Sequence, residues 1–527
     1  MAAIKGFARF IIVITTVTAA VMELIDTSIV NVAINDMAGS LGVNVEDMSW
    51  VITAYGIANV IIIPLTGFLG NYFGRKNYYI TSMILFVFAS YMCAESSSLV
   101  EIIIWRFVQG LGGGALLSTS QSILFDAFSV EERPIAASMF GLGLVLGPTL
   151  GPTLGGYLIE HYSWPVIFTI NIPVGILATI LAFTFIDKKP GEGKNKKNIH
   201  IDYTGILLLA AGIGCLQYVL ERGEADDWFN DKVIRICSIV AVTGITAFIL
   251  WELNVKHPAV NLKILSNRNL ATTVIFTFVA GIGLYTSVFV YPLLAQRVLG
   301  FTAYETGLAL LGPSLPLIIL MPFIGRLLAK GMSPIPLVIM GFLLFAFFQY
   351  QCSGLTPDSG IMDLEKRFIF RSIAMSCIML PLTNQSVAGL QPKDYASGIS
   401  MNNMIRQLGG AMGIALANTY VRQSYAQHRA DLVALLPANA PKTIERVNTI
   451  AQGLAAKTGN VANATQQAYG ILDMSVEKQA YYLAYLDTFR LIGVFFLLII
   501  PFVFLLKTKK KTAQDIAEEN AAMAEAH

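Results

Sequence analysis

Long apolar stretches recur along the chain from Phe10 almost to Leu506. A helix needs about 20 mostly apolar residues to cross the hydrocarbon core of a bilayer. The sequence offers fourteen such stretches, and it therefore predicts fourteen transmembrane helices in one continuous membrane domain. The predicted spans lie near residues 10–32, 49–70, 78–94, 99–125, 134–159, 164–186, 203–220, 233–251, 270–294, 306–328, 335–350, 368–390, 397–421 and 485–506.

Composition agrees with a protein that is surrounded by lipid. Of the 527 residues, 55% are hydrophobic and 13% are charged, whereas soluble domains have about 45–50% apolar and about 25% charged residues. The formal net charge of +2 indicates no particular partner, and no basic stripe suggests nucleic acid. The five cysteines lack C-x-x-C spacing, and the five histidines are scattered. We therefore expect neither a metal site nor an organic cofactor.

The distribution of basic residues predicts the orientation, because cytoplasmic loops of membrane proteins collect Lys and Arg. Basic residues precede the first predicted span and follow the second, sixth, eighth, tenth and last ones. This pattern predicts that both termini are cytoplasmic. The polar, alanine-rich stretch 422–482 then lies outside the cytoplasm as the only sizeable external element, with a helical pattern near residues 443–456.

Glu23, Asp26 and Arg106 are charged residues deep inside predicted spans, and Arg406 in the thirteenth span is a further cation. Glu23 and Asp26 are three residues apart and share one face of the first predicted helix. Arg106 lies about seven residues inside the fourth span, at a depth that matches Asp26 at about 1.5 Å per residue. Ionisable side chains at such depth are costly and point to function. We expect Asp26 or Glu23 to bind and release a proton beside Arg106. A fixed ion pair, or an Arg106 side chain that reaches the outer interface, would also explain the pattern.

The loop after the second predicted span reads GFLGNYFGRK from residue 67. This segment resembles the signature loop G-x-L-x-D-r-x-G-r-k of the major facilitator superfamily. The resemblance implies a conformational role for Gly67, Asn71, Gly74, Arg75 and Lys76. Asn71 stands where the family has an acid, so we expect the charge relay that latches the inward-closed state to be weakened or rebuilt. A simple basic cytoplasmic loop would also explain Arg75 and Lys76.

Two more motifs carry the same resemblance. The fourth span contains RFVQG from Arg106, which is similar to the motif R-x-x-q-G. The fifth span contains GPTLGPTLGG, which resembles the antiporter motif G-P-x-x-G-P-x-x-G-G of exporters in the superfamily. Its motif residues are Gly147, Pro148, Gly151, Pro152, Gly155 and Gly156. Glycines four residues apart let two helix backbones approach closely, so plain helix packing is the alternative explanation.

Further segments narrow the resemblance to the fourteen-helix drug:proton antiporters of the EmrB/QacA type. They are residues 26–31, 164–175 and 406–410, which read DTSIVN, WPVIFTINIPVG and RQLGG. The resemblance implies an all-α integral membrane protein with the major facilitator fold, in which two pseudo-symmetric six-helix bundles flank two inserted helices. The polar residues expected to line the substrate cavity are Glu23, Asp26, Asn31, Gln109, Arg371, Asn384 and Arg406.

The same resemblance sets the expected domain organisation. It consists of a first six-helix bundle at 1–186, a cytoplasmic linker at 187–202, two inserted transmembrane helices at 203–252, a second bundle at 253–506 that includes the external segment 422–482, and a cytoplasmic tail at 507–527.

The function that the resemblance implies is proton-coupled antiport that exports small lipophilic or amphipathic compounds across a bacterial inner membrane. It further implies a periplasmic membrane-fusion adaptor and an outer-membrane channel as partners, and a proton gradient in place of a cofactor. The alternative within transport is a carrier of one defined metabolite or lipid. A polytopic membrane enzyme is the alternative from another class, but the sequence shows no cluster of His, Cys and Asp for such chemistry.

Overall fold

The computed structural model describes residues 6–188, 201–437, 439–458 and 461–506. Within these ranges the protein is helical and contains no β-strand. Most of the predicted linker and all of the predicted tail lie outside the described residues. The helices of the first half are α1 Gly6–Leu41, α2 Val45–Met48, α3 Trp50–Phe73, α4 Arg75–Glu95, α5 Leu99–Asp126, α6 Arg133–His161, α7 Val166–Thr169 and α8 Asn171–Phe185.

The remaining helices follow the linker. They are α9 Tyr203–Arg222, α10 Lys232–Asn254, α11 Arg268–Leu294, α12 Ala303–Leu311, α13 Leu317–Ala329, α14 Pro334–Cys352, α15 Ile361–Gln385, α16 Tyr395–Ala434, α17 Pro441–Thr458 and α18 Val461–Ile499. Several predicted boundaries differ from the structure: α16 continues to Ala434 and α18 begins at Val461, beyond the predicted spans 397–421 and 485–506. The first helix continues to Leu41 instead of ending near Val32, and the span near 306–328 is divided by a turn of 3-10 helix at Gly312–Ser314. Prolines at 313 and 316 explain the division, because proline cannot donate the helical hydrogen bond.

Several helices begin where a polar side chain accepts a hydrogen bond from a free backbone N–H. At α10, Asp231 Oδ1 accepts from Val233 N at 2.7 Å and from Ile234 N at 2.9 Å. The bond from the Ile234 N–H holds the pKa of Asp231 below its usual value. At α12, Thr302 and Glu305 form a reciprocal capping box. Such caps fix where each helix starts after a polar loop.

Twelve segments of the described chain are long and apolar enough to cross a membrane. The predicted spans carried by α15 and α16 are not among them. Both helices nevertheless lie inside the protein, since Arg371 of α15 is 0% exposed and Arg406 of α16 is 2% exposed. Polar side chains that face other helices lower the hydropathy of these two segments. The count of fourteen spans therefore stays a prediction.

The helices form two packed halves with a helix pair attached to the side. In the first half α1 packs along α6, and α3 and α4 pack along α5. In the second half α11 packs along α16, α14 along α15, and α18 against both α14 and α16. The pair α9 and α10 attaches through α9 to α3, and much of α10 faces outward. The halves meet along α6 with α12 and α13, and along α16 with α3 and α5.

The face that carries Arg75 and Arg133, which the sequence predicts to be cytoplasmic, is closed by contacts between the halves. Arg133 donates from Nη1 to Tyr395 Oη at 3.0 Å. In the interior next to this face, Asn403 Nδ2 donates to Ser118 Oγ at 3.1 Å and to Gln121 Oε1 at 3.2 Å. These residues belong to different halves, so separation of the halves at this face must break all three bonds.

The segment 422–482 extends the second half at the opposite face. At about 1.5 Å per residue, the 40 residues of α16 are about twice as long as a bilayer core is thick. The protruding parts of α16 and α18 are held together by a ring stack between Tyr425 and Tyr481 at 4.1 Å and by an ion pair between Arg429 and Asp473 at 2.7 Å. The helix predicted near 443–456 is confirmed as α17.

Candidate transport site

Asp26 lies at the centre of a fully buried polar network in the first half. Its Oδ2 accepts a hydrogen bond from Arg106 Nη1 at 2.5 Å. Its Oδ1 accepts from Gln109 Nε2 at 2.9 Å and from Asn171 Nδ2 at 2.8 Å. Asp26 is 0% exposed, and each of its oxygens has a donor. The matching depths of Asp26 and Arg106 in the sequence suggest a contact between them. This contact is present, and it joins α1 to α5.

Arg106 is held by more than its carboxylate partner. Its Nη1 also donates to Gln109 Oε1 at 2.8 Å, and its Nε donates to the Val51 carbonyl at 3.3 Å. The guanidinium carbon lies 4.1 Å from the centre of the Tyr55 ring, which adds a cation–π contact. Arg106 is 1% exposed, so its side chain does not reach the outer interface. It is a fixed cation inside the first half.

Glu23 lies one turn from Asp26 and is bound less completely. Its Oε1 accepts from Asn59 Nδ2 at 2.8 Å, whereas its Oε2 is buried with no hydrogen-bond partner among the described residues. Glu23 is 1% exposed. Arg406 of the second half acts on it electrostatically, and so does Asp26. Glu23 is thus the carboxylate on which a cation of the other half acts.

The remaining predicted cavity residues are spread over the protein. Gln109 belongs to the Asp26 network and Arg406 lies beside Tyr285 at the interface of α11 and α16. Asn31 is exposed, one to two turns above Asp26 on α1. Arg371 is buried inside the second half, and Asn384 lies thirteen residues further along α15, half-buried near its end. At about 1.5 Å per residue this separates Asn384 from Arg371 by about 20 Å. The structure therefore groups only some of the seven residues.

Sequence reasoning missed two amides that complete the site. Asn59 binds Glu23, and Asn171 binds Asp26. Both stand inside apolar spans, where an amide is costly unless it is hydrogen-bonded. An amide with apolar neighbours inside a span is the sequence feature that could have identified both residues.

The signature loop packs as a junction between helices. Gly74 has φ of 83°, a conformation that favours glycine, and it separates α3 from α4. Arg75 forms an ion pair with Asp126 at the end of α5, and Lys76 donates to the Phe183 carbonyl at 2.7 Å. The sequence did not indicate Asp126 as the partner of Arg75, because acidic residues are common at helix ends and the pattern does not show which residue they contact.

Two other residues of the loop face the second half. A Cβ atom on Gly67 would lie 3.1 Å from Ser397 Oγ, so this glycine permits α3 to approach the start of α16 closely. Asn71, which is exposed, lines a small pocket with Arg75 and Ser400. An acid at position 71 would place a negative charge near the N-terminal end of α16, where helix dipoles favour anions. Asn71 supplies no such charge.

The glycines of the fifth predicted span form one continuous groove for α1. A Cβ atom at Gly147 would lie 2.5 Å from Leu24 Cβ, one at Gly151 would clash with Ser28 Oγ, and one at Gly155 would lie 2.9 Å from Ile29 Cγ1. Pro148, Pro152 and Gly156 are buried in the same helix. The helix α1, which carries Glu23 and Asp26, therefore rests directly on the motif.

Long apolar helices packed in two halves around buried charges define a multi-span membrane protein. Residues 16–414 match the Major Facilitator Superfamily. The multidrug export protein EmrB of Haemophilus influenzae is 33% identical over 430 residues, which cover 81% of this chain and 84% of that protein. The chain therefore belongs to the major facilitator superfamily, as its motifs predict.

Two further comparisons concern a second relative and the fold. The fatty acid resistance protein FarB of Neisseria gonorrhoeae is 29% identical over 505 residues, which cover 96% of this chain and 97% of that protein. The crystal structure of the human organic anion transporter MFSD10 is similar with a TM-score of 0.58 and 15% identity, over 95% of this chain and 99% of that one. The major facilitator fold that the sequence predicts is confirmed.

Proposed function

We propose that the protein exports small lipophilic or amphipathic compounds across the bacterial inner membrane in exchange for protons. The observation that carries the proposal is the pair Glu23 and Asp26, two buried carboxylates on the helix that the antiporter motif supports. Further support comes from the similarity to proteins named for multidrug export. No catalytic cluster is needed for this function, which is transport and not enzymatic conversion.

Glu23 and Asp26 have different roles in this proposal. Asp26 has a donor for each oxygen and keeps the fixed cation Arg106 neutralised. Glu23 keeps one oxygen without a hydrogen-bond partner among the described residues, so it can accept a proton at the least cost in broken bonds. Sequence reasoning treats Asp26 and Glu23 as alternatives for the proton site. The hydrogen bonds favour Glu23 as the proton carrier and Asp26 as its electrostatic neighbour.

Protonation of Glu23 would act on the contact between the halves. The charged form of Glu23 is attracted to Arg406 across the interface, and the neutral form is not. Binding of a proton from the outside would therefore weaken the attraction and favour the state that opens to the cytoplasm. A substrate that enters from the cytoplasm or inner leaflet would then compete for the site and expel the proton. The cycle is alternating access driven by the proton gradient.

The location and partners form a separate part of the proposal. Both termini are placed in the cytoplasm on the basis of the basic loops. The protruding segment 422–482 then faces the periplasm, where it would contact a membrane-fusion adaptor that leads to an outer-membrane channel. The ring stack of Tyr425 on Tyr481 supports a defined docking element at this position.

A second candidate is the export of one class of lipid-like acid. It is favoured by the similarity to a protein named for fatty acid resistance over nearly the whole chain. The test for both candidates is efflux from proteoliposomes under an imposed pH gradient, with a panel of cationic, neutral and anionic dyes and a fatty acid. Proton-dependent movement of several dyes supports the broad exporter, movement of the fatty acid alone supports the second candidate, and no proton-dependent movement of any compound contradicts both.

A further inference from the structure

Arg371 is a buried cation without a counterion in the second half. It is 0% exposed, and its Nε donates to Ser287 Oγ at 2.8 Å. Its Nη1 and Nη2 are buried and have no hydrogen-bond partner among the described residues. No carboxylate of the described residues forms an ion pair or hydrogen bond with Arg371. A buried guanidinium with two free nitrogens is a costly arrangement unless an anion completes it.

The corresponding arginine of the first half has the counterion that Arg371 lacks among the described residues. There Arg106 of α5 meets the carboxylate of Asp26 on α1 at 2.5 Å. In the second half Arg371 of α15 meets the hydroxyl of Ser287 on α11. The positions along the helices correspond to within one residue, because Asp26 is the 21st residue of α1 and Ser287 is the 20th residue of α11. The fold repeats the arginine but replaces its acid with a neutral side chain.

The surroundings of Arg371 are aromatic. The centre of the Phe368 ring lies 5.8 Å from its guanidinium carbon. The ring of Tyr291 lies 4.4 Å from that of Phe368, and the ring of Phe348 lies 5.0 Å from it. The Tyr291 hydroxyl is buried and has no hydrogen-bond partner among the described residues. Arg371 and Tyr291 thus share the neighbour Phe368, and both have polar atoms without a hydrogen-bond partner among the described residues.

We propose that Arg371 binds the carboxylate of a lipophilic acid that the protein carries. A guanidinium binds a carboxylate through two parallel hydrogen bonds, and the Tyr291 hydroxyl supplies a further donor. The aromatic walls accommodate the apolar body of the acid. The site is closed in this conformation, so the ligand reaches it during alternating access. The inference rests on the proposed function and names one class of substrate for it.

The sharpest test supplies the missing charge instead of removing the arginine. Ser287→Asp recreates in the second half the pair that Arg106 and Asp26 form in the first. Laurate binding is measured at equilibrium on the full-length protein in nanodiscs of phosphatidylcholine, without a pH gradient. We expect Ser287→Asp to weaken laurate binding at least about tenfold and to raise the unfolding temperature of the ligand-free protein. Ser287→Asn, which has the same size but no charge, should bind laurate within about threefold of the original protein.

Arg371→Gln gives an independent measurement, and methyl laurate is the neutral control ligand. The variant should lose laurate binding at least about tenfold while its weak binding of methyl laurate stays unchanged. Laurate binding that is unchanged in Ser287→Asp and Arg371→Gln overturns the proposal, as does an original protein that binds laurate no better than methyl laurate. Displacement of laurate by phosphatidylglycerol would assign the site to a lipid headgroup and also overturn it.

The outcome is separable from that of the proposed function. Laurate binding at equilibrium requires no proton gradient, whereas export of a cationic dye by the original protein in proteoliposomes does. If the original protein exports the dye but its laurate binding does not change in Arg371→Gln, only the proposed carboxylate site is rejected. Laurate binding through Arg371 without any proton-dependent export rejects the proposed function and leaves the site standing as a binding site.

Discussion

At the scale of single residues, the two acids of α1 differ in how completely they are bound. Asp26 has three donors, whereas Glu23 has one donor and one oxygen without a partner among the described residues. Buried groups that are fully hydrogen-bonded resist any change of protonation, because a new proton displaces existing bonds. The difference between the two acids is therefore a difference in expected role.

Glu23→Gln should abolish efflux that depends on a pH gradient, by at least about a hundredfold in rate, because the proton carrier is removed while the Asn59 contact can be kept. Binding of a dye by the purified variant should persist and lose its dependence on pH. Rates of dye efflux in proteoliposomes and binding isotherms at two pH values are the measurements. Full pH-driven efflux by this variant would move the proton site to Asp26.

Asp26→Asn and Arg106→Ala should each be costly, because each leaves a buried charge without its partner. Removal of one member of such a pair costs about 3–5 kcal/mol. The double variant should be no worse than either single one in thermal stability and in efflux, since both changes act on one pair. Thermal unfolding of the four proteins gives the coupling energy. Additive losses would show that the two residues act separately.

The contact of Asp26 with Arg106 could be predicted from the sequence, because both lie at the same depth in apolar spans. The difference between Asp26 and Glu23 could not be predicted, since it depends on the positions of Asn59 and Asn171 in other helices. Nor could the partner of Arg75, because Asp126 ends α5, far away along the chain. Side-chain partners from distant helices are set by packing, which no local pattern records.

At the scale of helices, most spans follow from hydropathy alone. The exceptions have physical causes. Prolines break the span that contains α12 and α13. The helix α1 continues past its apolar stretch, because polar residues can also form a helix where the chain lies outside the membrane. The helices α15 and α16 fall below the hydropathy of a typical span, because they turn Arg371 and Arg406 toward other helices.

The antiporter motif gives a prediction at this scale. Gly151→Ala should cost about 1–3 kcal/mol through overpacking and slow efflux at least about tenfold, because the new Cβ meets Ser28 Oγ and the Ile29 backbone of α1. Gly141→Ala is the matched control in the same helix, since its Cβ meets only the flexible end of Met321 at 3.4 Å. Unfolding temperatures and efflux rates are measured for both. Equal behaviour of the two variants would mean that close packing on α1 is unimportant for transport.

At the scale of the whole molecule, the halves are joined at the predicted cytoplasmic face through Arg133, Tyr395 and Asn403. Opening at this face must break those contacts, and the charge of Glu23 acts near the same interface. The direction of transport depends on which side of the membrane this face occupies. Orientation is therefore the first property to measure on the intact molecule.

Impermeant thiol reagents measure the orientation. A single cysteine at Ser97, which is exposed, or at Ala440 should react from outside intact cells, because the basic loops place both on the external side. A cysteine at Asn195 should react only after the membrane is opened. The background is a variant without the five native cysteines, whose efflux is measured first. Labelling of position 195 in intact cells would reverse the topology and the proposed direction.

The protruding helices test whether the molecule works alone. Arg429 and Asp473 are in contact at 2.7 Å, so residues 430–472 can be replaced by a short Gly-Ser linker without pulling α16 and α18 apart. The shortened protein should keep efflux in proteoliposomes within about twofold, because the buried charges lie elsewhere, and should lose resistance in cells if an adaptor binds there. Exchange of the same residues for a scrambled sequence of equal composition controls for length. Unchanged resistance at equal expression would show that the segment is not the adaptor surface, whereas a parallel loss in proteoliposomes would show that it supports the fold of α16 and α18 instead.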